Sequence, residues 1–204
     1  LFENIRSIRK EKYEIVINLQ RFASSGLIAA LSGGREIVGF KKNPFSFLFH
    51  RRIEHLIGNM VHEVDRNLSM LKAYCNELVR KPKLYPTEQQ YAKVNVLREK
   101  PFICLAPASV WKTKQAPLSK WLDVIKYTND DTQIYLVGAP SDYEMCEEIK
   151  QQSGNVKIEN LCGKLSLMQT AALFNFANWV YVNDSGPLHI ASAMNTPVRV
   201  FYCS

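Results

Sequence analysis

The sequence of 204 residues lacks several features, and each absence narrows what the chain can do. No uncharged apolar run approaches the roughly 18 residues that a membrane-crossing helix needs, which excludes an integral helical membrane protein. No signal-peptide pattern is visible. Cys75, Cys104, Cys146, Cys162 and Cys203 are odd in number, widely spaced and form no C-x-x-C, which argues against a disulfide framework or a structural zinc site. A reducing compartment is the default expectation. Neither G-x-G-x-x-G nor G-x-x-x-x-G-K-[ST] occurs, so a dinucleotide dehydrogenase and a P-loop enzyme are both disfavoured. His62-Glu63 starts like a zinc-protease helix, but Arg66 stands where the second His would be, and no metal is expected there.

What is present is an ordinary globular balance of 47% hydrophobic and 22% charged residues, enough for one large domain or two small ones. The net charge of +7 is unevenly placed. Residues 1–100 carry 18 Lys and Arg against 10 Asp and Glu, whereas residues 101–204 carry 8 against 9. A basic half suggests an anionic partner: nucleic acid, a membrane surface or a phosphorylated substrate. Leu1 runs at once into a helical pattern and Ser204 closely follows an apolar run, so the chain is expected to be an internal fragment.

The pattern over 13–40 reads strand, helix, strand, the grammar of a parallel sheet. Residues 41–60 read as an irregular aromatic and basic excursion, and 62–80 as a helix ended by Pro82 and Pro86. The polar stretch 81–100 is the candidate linker. Beyond it strands are expected at 102–106, 133–137, 179–182 and 198–202. Helices are expected at 117–127, 141–152, 167–176 and 187–194. This is a doubly wound α/β unit, in which ligands bind beyond the carboxyl ends of the strands.

Three loops therefore carry the chemistry. In Asn183-Asp184-Ser185-Gly186-Pro187-Leu188-His189, Gly186 admits close approach of a ligand, Pro187 presets the first helical turn, and the free amides suit a phosphate. The competing reading is a plain helix cap. In Ala108 to Pro117, Lys112 or Lys114 could neutralise a leaving diphosphate, with Ser109 beside them; two solvated lysines are the alternative. In Gly138 to Asp142, the carboxylate could accept from ribose hydroxyls or could simply cap the next helix. In the basic half, Lys41, Lys42, Arg51 and Arg52 flank the excursion as either a solvated face or an anion-binding face. His50, His55 and His62 read as surface or interface groups. No nucleic-acid-binding motif accompanies the basic residues.

Together these loops resemble the ADP-heptose:lipopolysaccharide heptosyltransferases of glycosyltransferase family 9, two-lobed GT-B enzymes of Gram-negative bacteria. Asp184-Ser185-Gly186-Pro187-Leu188-His189 is similar to the family's D-[ST]-G-x-x-H signature, and Asn195-Thr196-Pro197 follows as expected. Tyr13 to Gln20 resembles its Y-D-x-V-I-D-L-Q segment, with Ser32-Gly33 and Val38-Gly39-Phe40 behind it. Ala106 to Pro117, with Trp121 beyond, stands in the place of its P-G-A…K-x-W-P stretch. Two departures are the missing Trp before Pro117 and Arg21 in place of the usual Gly.

The resemblance implies an α/β fold of GT-B type with two Rossmann-like doubly wound lobes, both incomplete here: an acceptor-binding lobe with linker at 1–92 and a nucleotide-sugar-binding lobe at 93–204. It implies inverting, metal-independent heptose transfer from ADP-heptose to a lipopolysaccharide core or lipid A acceptor, with no cofactor. Lys114 and Asp184 take the catalytic places. The donor site is implied at Ser109, Lys114, Asp142, Asp184, Ser185, Gly186, Pro187, Leu188 and His189, and the acceptor site at Gln20, Arg21, Lys41 and Lys42. The family's general base is expected upstream of Leu1. The partners implied are the nucleotide sugar and the lipopolysaccharide precursor, not nucleic acid. A cytoplasmic location follows, with peripheral contact with the inner membrane left open. Rival readings are a related GT-B transferase or epimerase using another nucleotide sugar, and a non-catalytic nucleotide-sugar binder.

Overall fold

The computed structural model describes residues 2–202 except 57, 59, 60 and 78. The chain divides into two compact units, Leu1–Arg80 and Lys81–Ser204. No helix among the described residues is long and apolar enough to cross a membrane.

The first unit contains helix α1 (Phe2–Lys10), strand β1 (Ile15–Asn18), helix α2 (Ala23–Leu31), strands β2 (Glu36–Phe40) and β3 (Arg51–Ile53), and helix α3 (Glu63–Leu68). Its sheet is parallel in the order β1-β2-β3. Alternation along β2 feeds both faces: Ile37 packs with Ala29 and Phe49, and Val38 and Phe40 pack with Met70. The expected irregular excursion thus contains a third strand. Three residues, two of them arginines, are too few for a periodic signal. Tertiary contacts supply the order instead: Arg51 pairs with Glu36 and lies 5.6 Å from the Tyr74 ring, while His50 Nδ1 accepts the Ile37 N–H at 3.0 Å. Phe49 packs directly over Gly39, where a Cβ would stand 2.5 Å from its ring.

The helix expected over 62–80 stops at Leu68 and tightens into a 3-10 turn at Ser69–Leu71. The Ser69 hydroxyl donates to the Arg66 carbonyl at 2.6 Å, and the turn drives Met70 into the core. Leu78, within that expectation, lies outside the described residues.

The second unit begins before the expected linker ends. Helix α4 (Glu88–Val94) opens with a capping box between Thr87 and Gln90, a local signal in a segment whose polarity suggests a loop. Val94 is fully buried, and Tyr91 meets Phe176 edge to face at 5.7 Å. The expected boundary at 92/93 falls inside this helix, so the division at Arg80/Lys81 replaces it. Counted on these units, the net charges are +5 and +2, a weaker contrast than the halves of the sequence show.

There follow β4 (Phe102–Ala106), α5 (Leu118–Lys126), β5 (Gln133–Leu136), α6 (Tyr143–Ser153), β6 (Ile158–Asn160), α7 (Leu167–Phe174), β7 (Trp179–Asn183), α8 (Gly186–Ala193) and β8 (Val198–Phe201). All five strands are parallel, in the order β6-β5-β4-β7-β8. β6 is one strand more than expected, again too short to show a period. One face is covered by α5 and α6 through Trp121, Ile125, Cys146 and Ile149. The other is covered through Val94, Leu173, Phe174 and Ala191, from α4, α7 and α8. The sheet is doubly wound, and its order reverses between β4 and β7.

Candidate functional site

At that reversal, beyond the carboxyl ends of the strands, the loops leaving β4 and β7 run to helices on opposite faces of the sheet. Asn183, the last residue of β7 and fully buried, holds this place together. Its Nδ2 donates to the Pro107 carbonyl at 2.7 Å and its Oδ1 accepts the Ala116 N–H at 3.0 Å, so one amide clamps both ends of the loop 107–116. The Ala116 carbonyl accepts from the Trp121 indole at 3.2 Å, and Gln115 Nε2 donates to the Ser109 carbonyl at 2.7 Å. The loop is therefore held rather than loose, although its surface is polar. Its Ser109 hydroxyl accepts the Trp111 N–H at 3.4 Å.

The clamp brings Lys114 against Asp184, Nζ to Oδ2 at 2.5 Å, across 70 positions of sequence. Lys112 is exposed and makes no such contact. Both partners of the pair keep part of their side chains in solvent, 42% and 36%, so the pair contributes no more than about 1 kcal/mol to stability. Its value is positional. An ammonium has three donors, and a single carboxylate contact leaves donors for a ligand oxyanion.

The cap reading of the 183–189 segment is not realised. Ser185 starts α8 but makes no side-chain cap bond; its hydroxyl reaches the Asn183 carbonyl at 3.4 Å. The set of free amides is smaller than expected, however. Pro187 has none, and the Leu188 N–H donates to the Ser185 carbonyl at 3.1 Å, so only the Ser185 and Gly186 amides remain of the expected set. A Cβ on Gly186 would meet nothing within 4 Å, so packing within the chain does not demand a glycine there. His189 is exposed on the first turns of the same helix.

Asp142 does act as a cap. Its Oδ2 accepts the Ala139 N–H at 2.7 Å and its Oδ1 accepts from the Ser141 hydroxyl at 3.2 Å. A carboxylate has about four acceptor sites, so two bonds orient it and leave capacity for a diol. Its position beyond β5, next to β4 in the sheet, puts it at the same carboxyl-end edge as the loops leaving β4 and β7.

In the first unit the expected acceptor residues share the carboxyl ends of β1–β3. Gln20 and Arg21 follow β1, and Lys41 and Lys42 follow β2; all four are exposed. The residue that the sequence reading missed is Asn43. It is 2% exposed, and its Nδ2 donates to the carbonyls of Gln20 (3.1 Å) and Phe22 (2.9 Å) on either side of Arg21. An Asn between a basic pair and a Pro was the only sequence signal. Lys41 is paired with Glu54, while no carboxylate among the described residues pairs with Arg21 or Lys42. Burial and the charges of Arg66, Arg21 and Lys42 hold the His55 imidazole below its usual pKa, which marks a local excess of positive charge. His62 is a helix cap: its Nδ1 accepts the Val64 N–H at 3.2 Å.

A five-stranded parallel sheet whose order reverses between β4 and β7, with helices on both faces, defines a doubly wound α/β unit of Rossmann-like type. The glycosyltransferase family 9 (heptosyltransferase) model matches residues 2–203, and the chain belongs to that family. It is 26% identical over 198 residues to lipooligosaccharide heptosyltransferase 2 of Campylobacter jejuni, covering 94% of this chain and 58% of that one. Among solved structures it is similar to the family 9 glycosyl transferase of Veillonella parvula, with a TM-score of 0.84 at 20% identity over 97% of this chain and 60% of the other. For E. coli ADP-heptose lps heptosyltransferase II the TM-score is 0.75 at 20% identity, over 98% and 67% of the two chains. The chain thus spans about three fifths of the Campylobacter relative's length.

Proposed function

We propose that the full-length protein is a glycosyltransferase that moves a heptose from ADP-heptose to a sugar hydroxyl of a lipopolysaccharide or lipooligosaccharide core acceptor, with inversion and without a metal. The observation that carries this reading is the Lys114–Asp184 pair, held across the switch point by the Asn183 clamp. As the glycosidic bond breaks, negative charge builds on the leaving diphosphate. The Lys114 ammonium and the Ser185 and Gly186 amides would stabilise it as preorganised donors. When diphosphate takes the ammonium, Asp184 is released toward the cationic sugar. Asp142 would accept from the ribose, and His189 would line the same pocket.

Gln20, Arg21, Lys41 and Lys42 would face the acceptor, whose phosphates and acidic sugars suit a basic surface. The name of the Campylobacter relative supports the reaction class, and that of the E. coli structure supports the donor. Such an acceptor would put the enzyme's work in the cytoplasm.

The test is release of ADP by the full-length protein. Lys114→Ala and Asp184→Ala are each expected to lower kcat/KM at least about tenfold, or about 1.4 kcal/mol of barrier. Near wild-type turnover in either variant removes that residue from the mechanism. Preference for a nucleotide sugar other than ADP-heptose would reassign the donor.

A further inference from the structure

Two nucleophilic side chains have no part in the site as described. Cys146 sits in α6 and Cys162 lies two residues beyond β6; both are buried. Their Sγ atoms are 3.2 Å apart and share a thiol hydrogen bond. A disulfide needs about 2.05 Å, so closure by about 1 Å would join them.

Cys162 is also in contact with the candidate donor loop. A Cβ on Gly138 would lie 3.1 Å from Cys162 Sγ and 2.8 Å from Asp142 Oδ2, so sulfur, glycine and carboxylate are stacked without spare room. The next residue continues the contact: the Gly163 N–H donates to the Gly138 carbonyl at 3.0 Å, and Gly163 has φ +75°. A Cβ there would press on Pro140 Cα at 3.0 Å. The loop 138–142 therefore rests on the Cys162-Gly163 backbone, and a shift of Cys162 toward α6 moves its support.

We propose that Cys146 and Cys162 are a reversible redox pair, closed to a disulfide by hydrogen peroxide, and that closure displaces the loop carrying Asp142 and weakens nucleotide binding. The second half rests on the reading of Asp142 as a donor-side residue. Cys162, 4% exposed where Cys146 is 0%, is the attacking thiol. The hydrogen bond the two share and the nearby Lys164 favour its thiolate and disfavour that of Cys146. The Cys162 thiolate attacks one peroxide oxygen; the O–O bond breaks, leaving a sulfenic acid and, after protonation, one water. Cys146 then attacks the Cys162 sulfur, its proton going to the departing hydroxyl, and the S–O bond breaks to give a second water. Two thiols lose two electrons and two protons, and the peroxide is reduced to two waters. An added thiol reductant reverses the step.

The experiment treats the full-length protein with hydrogen peroxide and then follows mass, amide hydrogen exchange and ADP binding. Expected are an intact mass lower by about 2 Da and a peptide cross-linked between Cys146 and Cys162. Both should be lost in Cys146→Ser and Cys162→Ser and kept in Cys75→Ser. Hydrogen exchange should change over 138–144, and ADP affinity should fall about tenfold and recover with dithiothreitol. The mass and exchange readings are made on the wild type, so they stand even where a serine variant folds poorly. Absence of the cross-link overturns the proposal, as does a cross-link that leaves exchange over the loop unchanged. A reduced protein that fails to bind ADP contradicts the donor-site reading alone, and exchange over the loop still decides the coupling.

Discussion

Asn183→Ala is the perturbation that separates a held loop from a loop that merely lies near the site. The side chain is fully buried and makes two bonds, 2.7 Å to the Pro107 carbonyl and 3.0 Å from the Ala116 N–H. Truncation strands one acceptor and one donor in the interior. Each stranded group costs about 1–3 kcal/mol, so the second unit should lose about 4 kcal/mol. At about 2–4 °C per kcal/mol for a chain of this size, Tm falls by about 8–16 °C. Tryptophan fluorescence reports this unit specifically, because Trp111, Trp121 and Trp179 all lie in it. ADP affinity should fall as well, since Lys114 is no longer presented to Asp184. Asn183→Asp supplies a control. It keeps the acceptor for Ala116 but sets a carboxylate oxygen against the Pro107 carbonyl, so it should be no more stable than the alanine variant at neutral pH and recover as the acid protonates. A loss below about 1 kcal/mol in Asn183→Ala, with unchanged ADP binding, would refute the clamp.

Three further outcomes are expected. Gly39→Ala puts a methyl 2.5 Å from the Phe49 ring, so the first unit should lose about 1–3 kcal/mol, read from urea denaturation of the chain by far-ultraviolet circular dichroism. Phe174→Ala removes a fully buried ring from the core shared with Val94 and Ala191 and should cost about 3–5 kcal/mol in the same assay. Glu36 is held below its ordinary carboxyl value of 4.5, first by the hydrogen bond from Arg51. A depressed folded pKa means that the unfolded chain binds more protons in acid. The contribution is therefore present above about pH 4.5 and is lost as pH falls through the folded value. Glu36→Gln should flatten the acid limb of the stability curve of the first unit, and an unchanged limb would show that the Arg51 pair carries no weight.

Much of the architecture was readable from the chain alone, for reasons that differ along it. β4 matches its expected bounds because Phe102–Ala106 is a compact apolar run between polar turns. β3 and β6 were invisible: each is three residues long, and Arg51-Arg52-Ile53 is strand only because Glu36, Tyr74 and the pairing with Val38 make it so. α4 was lost to composition, although Thr87 and Gln90 spell a capping box, and with it went the boundary between the units. Among candidate residues, Asp142 realises the cap reading, accepting from the Ala139 N–H and the Ser141 hydroxyl.

By itself, the sequence marked which loops are candidates, because Gly186-Pro187 after a buried strand and lysines before Pro117 are local statements about backbone freedom and charge. It also determined a parallel α/β class through the alternation of strand and helix periods. It did not determine which loops meet. Lys114 and Asp184 stand together because β7, rather than β6, lies beside β4, and that order depends on which faces the helices bury. Nor did it determine what buried polar groups do: Asn183 and Asn43 look like loop residues in the chain, and become clamps only where folding withdraws water and leaves their amides facing specific backbone groups.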